Sequence, residues 1–103
     1  MLTTAAYIDL RNYIKGRIGS AEYEVSGVWH AAAIAESVIM TDGTVRIKCQ
    51  VSPGAVCTIT GVRVKNTDGD VWATKAVSVV IDTASTSLLQ WFDFVITESE
   101  VNP

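Results

Sequence analysis

The chain has 103 residues, eleven acidic and eight basic side chains, and a net charge of −3. That is room for one domain with one core, above the size at which small folds need disulfides or metals. With no basic run, it lacks the concentrated cationic footprint of nucleic-acid binding, and no apolar run is long enough for a transmembrane helix.

The first segment reads as a helix over about residues 4–18. Thr3 or Thr4 offers a hydroxyl to the free backbone N–H groups at its start. Tyr7, Leu10, Ile14 and Ile18 recur at helical spacing and form one apolar stripe. Gly16 and Gly19 are read as the place where the helix closes, because glycine accepts the left-handed conformation.

From Ala21 onward the period changes to that of strands, and the β region is expected over about residues 21–98. Glu22 to Val28 reads as a short strand. Trp29 to Ala35 is alanine-rich and is read as the start of an extended strand that continues through Ile34 to Met40. Thr41-Asp42-Gly43 is a turn, since Asp-Gly readily takes the positive φ of tight hairpins. Val45, Ile47, Cys49 and Val51 then share one strand face, with Arg46, Lys48 and Gln50 on the other. Ser52-Pro53-Gly54 is a second turn. In Ala55 to Lys65 the alternation slips, because Cys57 and Ile59 differ in parity from Val62 and Val64. A bulge near Thr60-Gly61 would restore it.

Asn66-Thr67-Asp68-Gly69 is the third turn. Val71 to Ile81 is a long strand, residues 82–86 a loop, and Ser87 to Thr97 the last strand. That strand carries Phe92, Phe94 and Ile96 on one face and Leu89, Trp91 and Val95 on the other, the pattern of a central or covered strand. Glu98 to Pro103 is a polar tail expected to fray. The whole predicts a single domain, mainly β: an N-terminal helix followed by a five- to six-stranded antiparallel β-sandwich or partly open barrel, joined mostly by hairpins. Thr-Asp-Gly-x-Val recurs at residues 41–45 and 67–71, which two hairpins needing the same turn would explain.

The chemistry-bearing residues are few. His30 is the sole histidine, and Cys49 and Cys57 are the two cysteines. Their spacing is not that of a zinc site, and free thiols are expected. Cys49 lies on an alternating apolar face, where a thiol is buried and inert. His30 with either cysteine is the one thiol-based constellation available. Asn66, Asp68 and Asp70 offer oxygen ligands for calcium, but in a loop too short for an EF-hand. Gly16-x-x-Gly19 lacks the Lys and Ser/Thr of a phosphate loop. No catalytic residues, metal, cofactor or small-molecule substrate are therefore assigned. Trp29, Trp72 and Trp91 remain as candidates for a sugar platform or a protein anchor. Arg46/Lys48 and Arg63/Lys65 occupy alternate strand positions and read as solvated faces.

The stretch Ile59-Thr60-Gly61-Val62-Arg63-Val64-Lys65-Asn66-Thr67-Asp68-Gly69-Asp70-Val71-Trp72-Ala73 resembles a recurring strand–turn–strand unit of bacteriophage tail-fibre, collar and baseplate proteins. A helix ahead of such a β region is similar too. The longer glycine-rich opening of collar fibres is missing. The resemblance implies a virion component made in the host cytoplasm, a symmetric homo-oligomer that also contacts other virion or assembly proteins.

Composition agrees with assembly. Apolar residues make up 49% of the chain and charged residues 18%, against about 25% charged in ordinary soluble domains. Few charges are left to cover the large surface of a small protein, so burial of apolar surface between chains is expected. The candidate interface is the stripe Tyr7, Leu10, Ile14 and Ile18, together with Trp91. The alternative is a carbohydrate- or protein-binding β module using Trp29 and Trp72, and the third reading a small enzyme using His30. No membrane or nucleic-acid partner is expected. The N-terminus does not read as a signal peptide.

Overall fold

The computed structural model describes residues 2–97; the expectation of a frayed tail at Glu98 to Pro103 lies outside them. One helix, α1 (Thr4–Arg17), precedes six strands: β1 (Ile18–Val25), β2 (Val28–Ile39), β3 (Val45–Val51), β4 (Cys57–Asn66), β5 (Val71–Ile81) and β6 (Leu88–Phe94). They form one antiparallel sheet in the order β5-β4-β1-β2-β3-β6, curled into a nearly closed barrel. The fold is mainly β, as the period-2 segments require.

Thr3 caps α1, its Oγ1 accepting from the Ala6 N–H at 3.2 Å. The helix ends differently from the sequence expectation. Neither Gly16 nor Gly19 has positive φ. Gly16 is the last helical residue but one, and Gly19 lies in β1. The helix stops because the chain docks on a distant turn: the Thr67 N–H donates to the Arg17 carbonyl, and the Arg17 guanidinium reaches Thr67 Oγ1 at 2.8 Å and Asp68 Oδ2 at 2.7 Å. Ile18 is consequently extended and buried at the head of β1. It belongs to the core and drops out of the helical stripe. Gly19 is needed for closeness, since a Cβ there would meet Thr67 Cγ2 at 3.1 Å.

The segment from 22 to 40 is corrected at one point. A two-residue turn at Ser26-Gly27, with φ of 52° and 77°, separates β1 from β2. Both angles positive is the primed geometry that matches strand twist. The two Thr-Asp-Gly turns are alike: the first and fourth residues bond identically at Met40–Gly43 and Asn66–Gly69. Only their glycines take positive φ, which makes each a three-residue loop with a glycine bulge instead of a tight Asp-Gly turn.

The connectivity is not a plain meander. β3 and β4 do not pair, although Ser52-Pro53-Gly54 reads as a hairpin turn. Strand β4 crosses over to lie beside β1, giving the Greek-key order β4-β1-β2-β3. β6, whose apolar residues on both faces suggested a central or covered strand, is not central: it pairs with β3 alone and ends the sheet. The faces themselves are as expected, with Phe92 buried and Leu89, Trp91 and Val95 exposed.

The register slips that bend the sheet are local. Between Ile59 and Gly61 the β4–β5 ladder slips, at the place where the β4 alternation breaks, and a second slip makes Trp72 the extra residue opposite Val64/Lys65. At both slips the extra residue is on β5, and bulges increase bend and twist, so β5 curls round toward β6. The core fills the barrel with Ala21 and Tyr23 of β1, alternate residues of β3, Ile59, Val62 and Val64 of β4, Ile81 and Phe92.

Candidate functional site

Four surfaces gather the residues of interest. The first is the pocket at the barrel end carrying the Ser26-Gly27 turn. Tyr23, Val25, His30, Pro53, Ala55 and Cys57 line a cavity of about 240 Å³, below the range of about 300–1,000 Å³ typical of small-molecule sites. His30 and Cys57 thus share a pocket, a juxtaposition made by the β3–β4 crossing. His30 stacks on Tyr23, ring centroids 5.2 Å apart. Among the described residues no hydrogen bond joins His30 to Cys57, so the nucleophile–base contact of thiol catalysis is not formed. Cys49 is buried in the core, and burial pushes its thiol up to about 11, the inert state expected from its strand face. Both cysteines are free.

The second surface is the outer face of β1, β2 and β4. Arg63 lies over the Trp29 ring, its guanidinium carbon 4.0 Å from the centroid. The same guanidinium donates to Glu22 Oε1 at 2.8 Å, with Lys65 at 3.6 Å from that oxygen. Thr60 Oγ1 donates to Glu24 Oε1 at 2.8 Å. Trp29 fits because position 61 has no side chain: a Cβ there would stand 3.0 Å from Trp29 Cη2. One face of Trp29 is therefore occupied within the chain, and it is a poor sugar platform.

The cations that read as solvated faces are paired across strands: Arg46 with Asp93 at 2.8 Å and Lys48 with Glu36 at 3.3 Å. Arg63 holds the Glu22 carboxyl below its ordinary 4.5, against the upward push of partial burial, and Lys65 adds to this. Arg46 does the same for Asp93, whose ordinary value is 3.8. A carboxylate with a lowered folded-state pKa binds fewer protons folded than unfolded. Its stabilisation is complete above the unfolded value and is lost as pH falls through the folded one. Thermal melts at successive acid steps below 4.5 will fall steeply for the native chain and less steeply for Glu22→Gln; equal slopes would mean that the pair has no linkage to folding.

The third surface is α1. No residue of the helix is buried. Tyr7 and Ile14 are half-buried, and Ile14 packs on the core. Ile8, Leu10 and Tyr13 are 48%, 40% and 60% exposed. Arg11 lies over the Tyr7 ring and against Gly43 of the β2–β3 turn.

The fourth is the seam where the barrel fails to close. Among the described residues no backbone hydrogen bond joins β5 to β6. Trp72 meets Phe94 edge-on at 6.3 Å, and Lys75 Nζ donates to the Trp91 carbonyl. Val71, Trp72, Val80, Leu89, Trp91 and Val95 are exposed here. Lys75 is the functional candidate that sequence reasoning missed. Its parity could have found it, since it alternates with Ala73, Val77, Val79 and Ile81, which pack on the core. The ammonium stands 5.1 Å from the Phe92 ring centroid.

Compared with family models, curated proteins and solved structures, the chain matches none. Among the described residues no group of three or more His, Cys, Asp or Glu side chains is placed to hold a metal ion. Of the three suggested oxygen ligands, Asn66 and Asp68 are engaged: Asn66 Oδ1 accepts from the amides of Asp68 and Asp70, and the Asp68 carboxylate pairs with Arg17. No helix among these residues is long and apolar enough to cross a membrane.

Proposed function

We propose that this chain is a non-enzymatic structural and assembly protein, a virion component of the tail or baseplate type in a phage or prophage. It acts through contacts between its own copies and with other virion proteins. The observation that carries this reading is α1: fourteen residues with none buried, and Ile8, Leu10 and Tyr13 presented to solvent. A helix of that length is marginal in water without tertiary packing; Ile14 packs its inner side on the barrel, and a partner surface would cover the apolar side chains left outside. The exposed apolar side chains of the β5–β6 seam supply a second such surface, with Trp91 in it. The phage assignment rests on the resemblance of Ile59 to Ala73, which folds as β4, its turn and the start of β5.

The test is the mass in solution. Light scattering over a wide concentration range will give a multiple of the 11.1 kDa chain. Leu10→Glu, which places a carboxylate on the exposed apolar side that a second copy would cover, will raise the dissociation constant by tenfold or more, about 1.4 kcal/mol. A monomer at every concentration would overturn the proposal. The alternative, a carbohydrate- or protein-binding module, retains Trp72 as an exposed ring. Titration with glycans that shifts tryptophan emission, in a chain that stays monomeric, would favour it instead.

A further inference from the structure

We infer that the β5–β6 seam is a strand-addition site, which takes an extended segment of a partner protein carrying one carboxylate between β-branched residues. The inference rests on the assembly reading and names the kind of contact the seam makes. A residue in an antiparallel ladder directs its N–H and C=O to the same side. The Trp91 carbonyl points away from β3 into the seam, where Lys75 meets it. By the same period, the N–H and C=O groups of Leu89 and Asp93 also face the seam. The edge of β6 therefore offers donors and acceptors in ladder order with no strand beside it. Lys75 spans the opening with its side chain, where a ladder would need strands about 4.8 Å apart.

Natural edges are guarded by charges, prolines or short length. The edge of β5 runs for eleven residues and contains no proline; Lys75 is the one charge between Val71 and Ile81. On β6, Asp93 is neutralised by Arg46. The partner's chemistry follows from Lys75. Among the described residues no carboxylate lies within ion-pair distance of its ammonium, which is satisfied by a carbonyl that an added strand would claim. An incoming strand pairs with the β6 edge and displaces that contact. A carboxylate on its inward face then becomes the acceptor for Lys75. Its outward residues cover Trp72, Leu89 and Trp91. This is the logic of edge-strand recognition, with main-chain bonds for affinity and side-chain pockets for selectivity.

The probe is the capped peptide acetyl-Thr-Thr-Val-Glu-Val-Thr-Thr-amide, with its Glu→Gln counterpart, added to the full chain. Amide hydrogen exchange at Leu89, Trp91 and Asp93 is the readout. The expected result is fast exchange without peptide, saturable protection with it, and binding roughly tenfold weaker for the Gln peptide. Lys75→Gln will abolish the difference between the peptides, and Lys75→Arg will keep it. Equal binding of the two peptides, or no protection by either, would overturn the inference. So would amides already protected in the free protein at a mass above the monomer, which would assign the seam to a second copy. A monomeric chain that still selects the Glu peptide would sink the homo-oligomer reading and leave strand addition standing.

Discussion

Replacing Ile47 by alanine will lower the unfolding free energy by about 3 kcal/mol, within the usual cost of about 2–5 kcal/mol for emptying a buried isoleucine site. Ile47 is fully buried. It sits midway along β3, opposite Ser37 of β2 and Phe92 of β6. Its backbone is held by ladders on both sides, so the strand cannot sink into the space that the missing atoms leave. The opposite wall is equally constrained, because β4 lies between β1 and β5. A cavity therefore persists, and lost contacts add to lost burial. For a domain of this size such a change lowers the melting temperature by roughly 12–24 °C. Ile47→Val, which removes one methylene group, will cost about 1 kcal/mol. Val56→Ala, at an exposed loop position, will stay within about 0.5 kcal/mol. Urea unfolding at one fixed protomer concentration checks all three, because assembly adds to apparent stability. An Ile47→Ala chain as stable as Val56→Ala would mean that the barrel interior is loosely packed.

The residues that make Ile47 so costly to lose are those whose pattern was plain from the chain. Val45, Ile47, Cys49 and Val51 alternate, and the burial of all four follows from period 2 alone. The parity break between Ile59 and Val62 likewise located the slip at Thr60-Gly61, because a side chain cannot change faces without a change in backbone register. What was hidden was long-range. Gly16 and Gly19 carry the local mark of a helix end, yet the actual stop is imposed by Thr67, fifty residues away. Ser52-Pro53-Gly54 turns the chain equally well into a hairpin or a crossover, and only the competition between β3 and β1 for the edge of β4 that β5 does not take decides. Ser26-Gly27 falls inside the strand read over Glu22 to Val28, because the valines that flank it, Val25 and Val28, suit a strand equally well.

The surfaces follow the same division. The exposure of Leu89 and Trp91 opposite Phe92 is set by alternation within one strand. The covering of Trp29 by Arg63, the meeting of His30 and Cys57 and the bridge from Lys75 to Trp91 each join different strands. None is encoded by spacing. The strand order creates them, and the crossing of β4 to β1 creates the first two directly: it brings Arg63 beside Trp29 and Cys57 beside His30.

Asn66 is where the local and distant parts of the fold meet, and Asn66→Ala will cost about 2 kcal/mol. The side chain is buried, and Oδ1 accepts from the amides of Asp68 and Asp70 at 3.0 and 2.9 Å. Each bond is worth about 0.5–1.5 kcal/mol net, and an amide left unpaired costs more where water does not reach it. The same turn carries Thr67 and Asp68, which hold the end of α1 through Arg17. Loosening it frees the helix–barrel junction as well as the hairpin. Two signatures separate this from simple loss of packing. Asn66→Asp keeps an acceptor for both amides and will retain most of the stability. Arg17→Ala combined with Asn66→Ala will be less than additive, because the turn that Arg17 grips is already slack. Amide exchange at Asp68 and Asp70 reports the bonds directly and will quicken in Asn66→Ala while β3 amides stay protected. Additive losses, or an aspartate variant as unstable as the alanine one, would show that Asn66 acts by filling space alone.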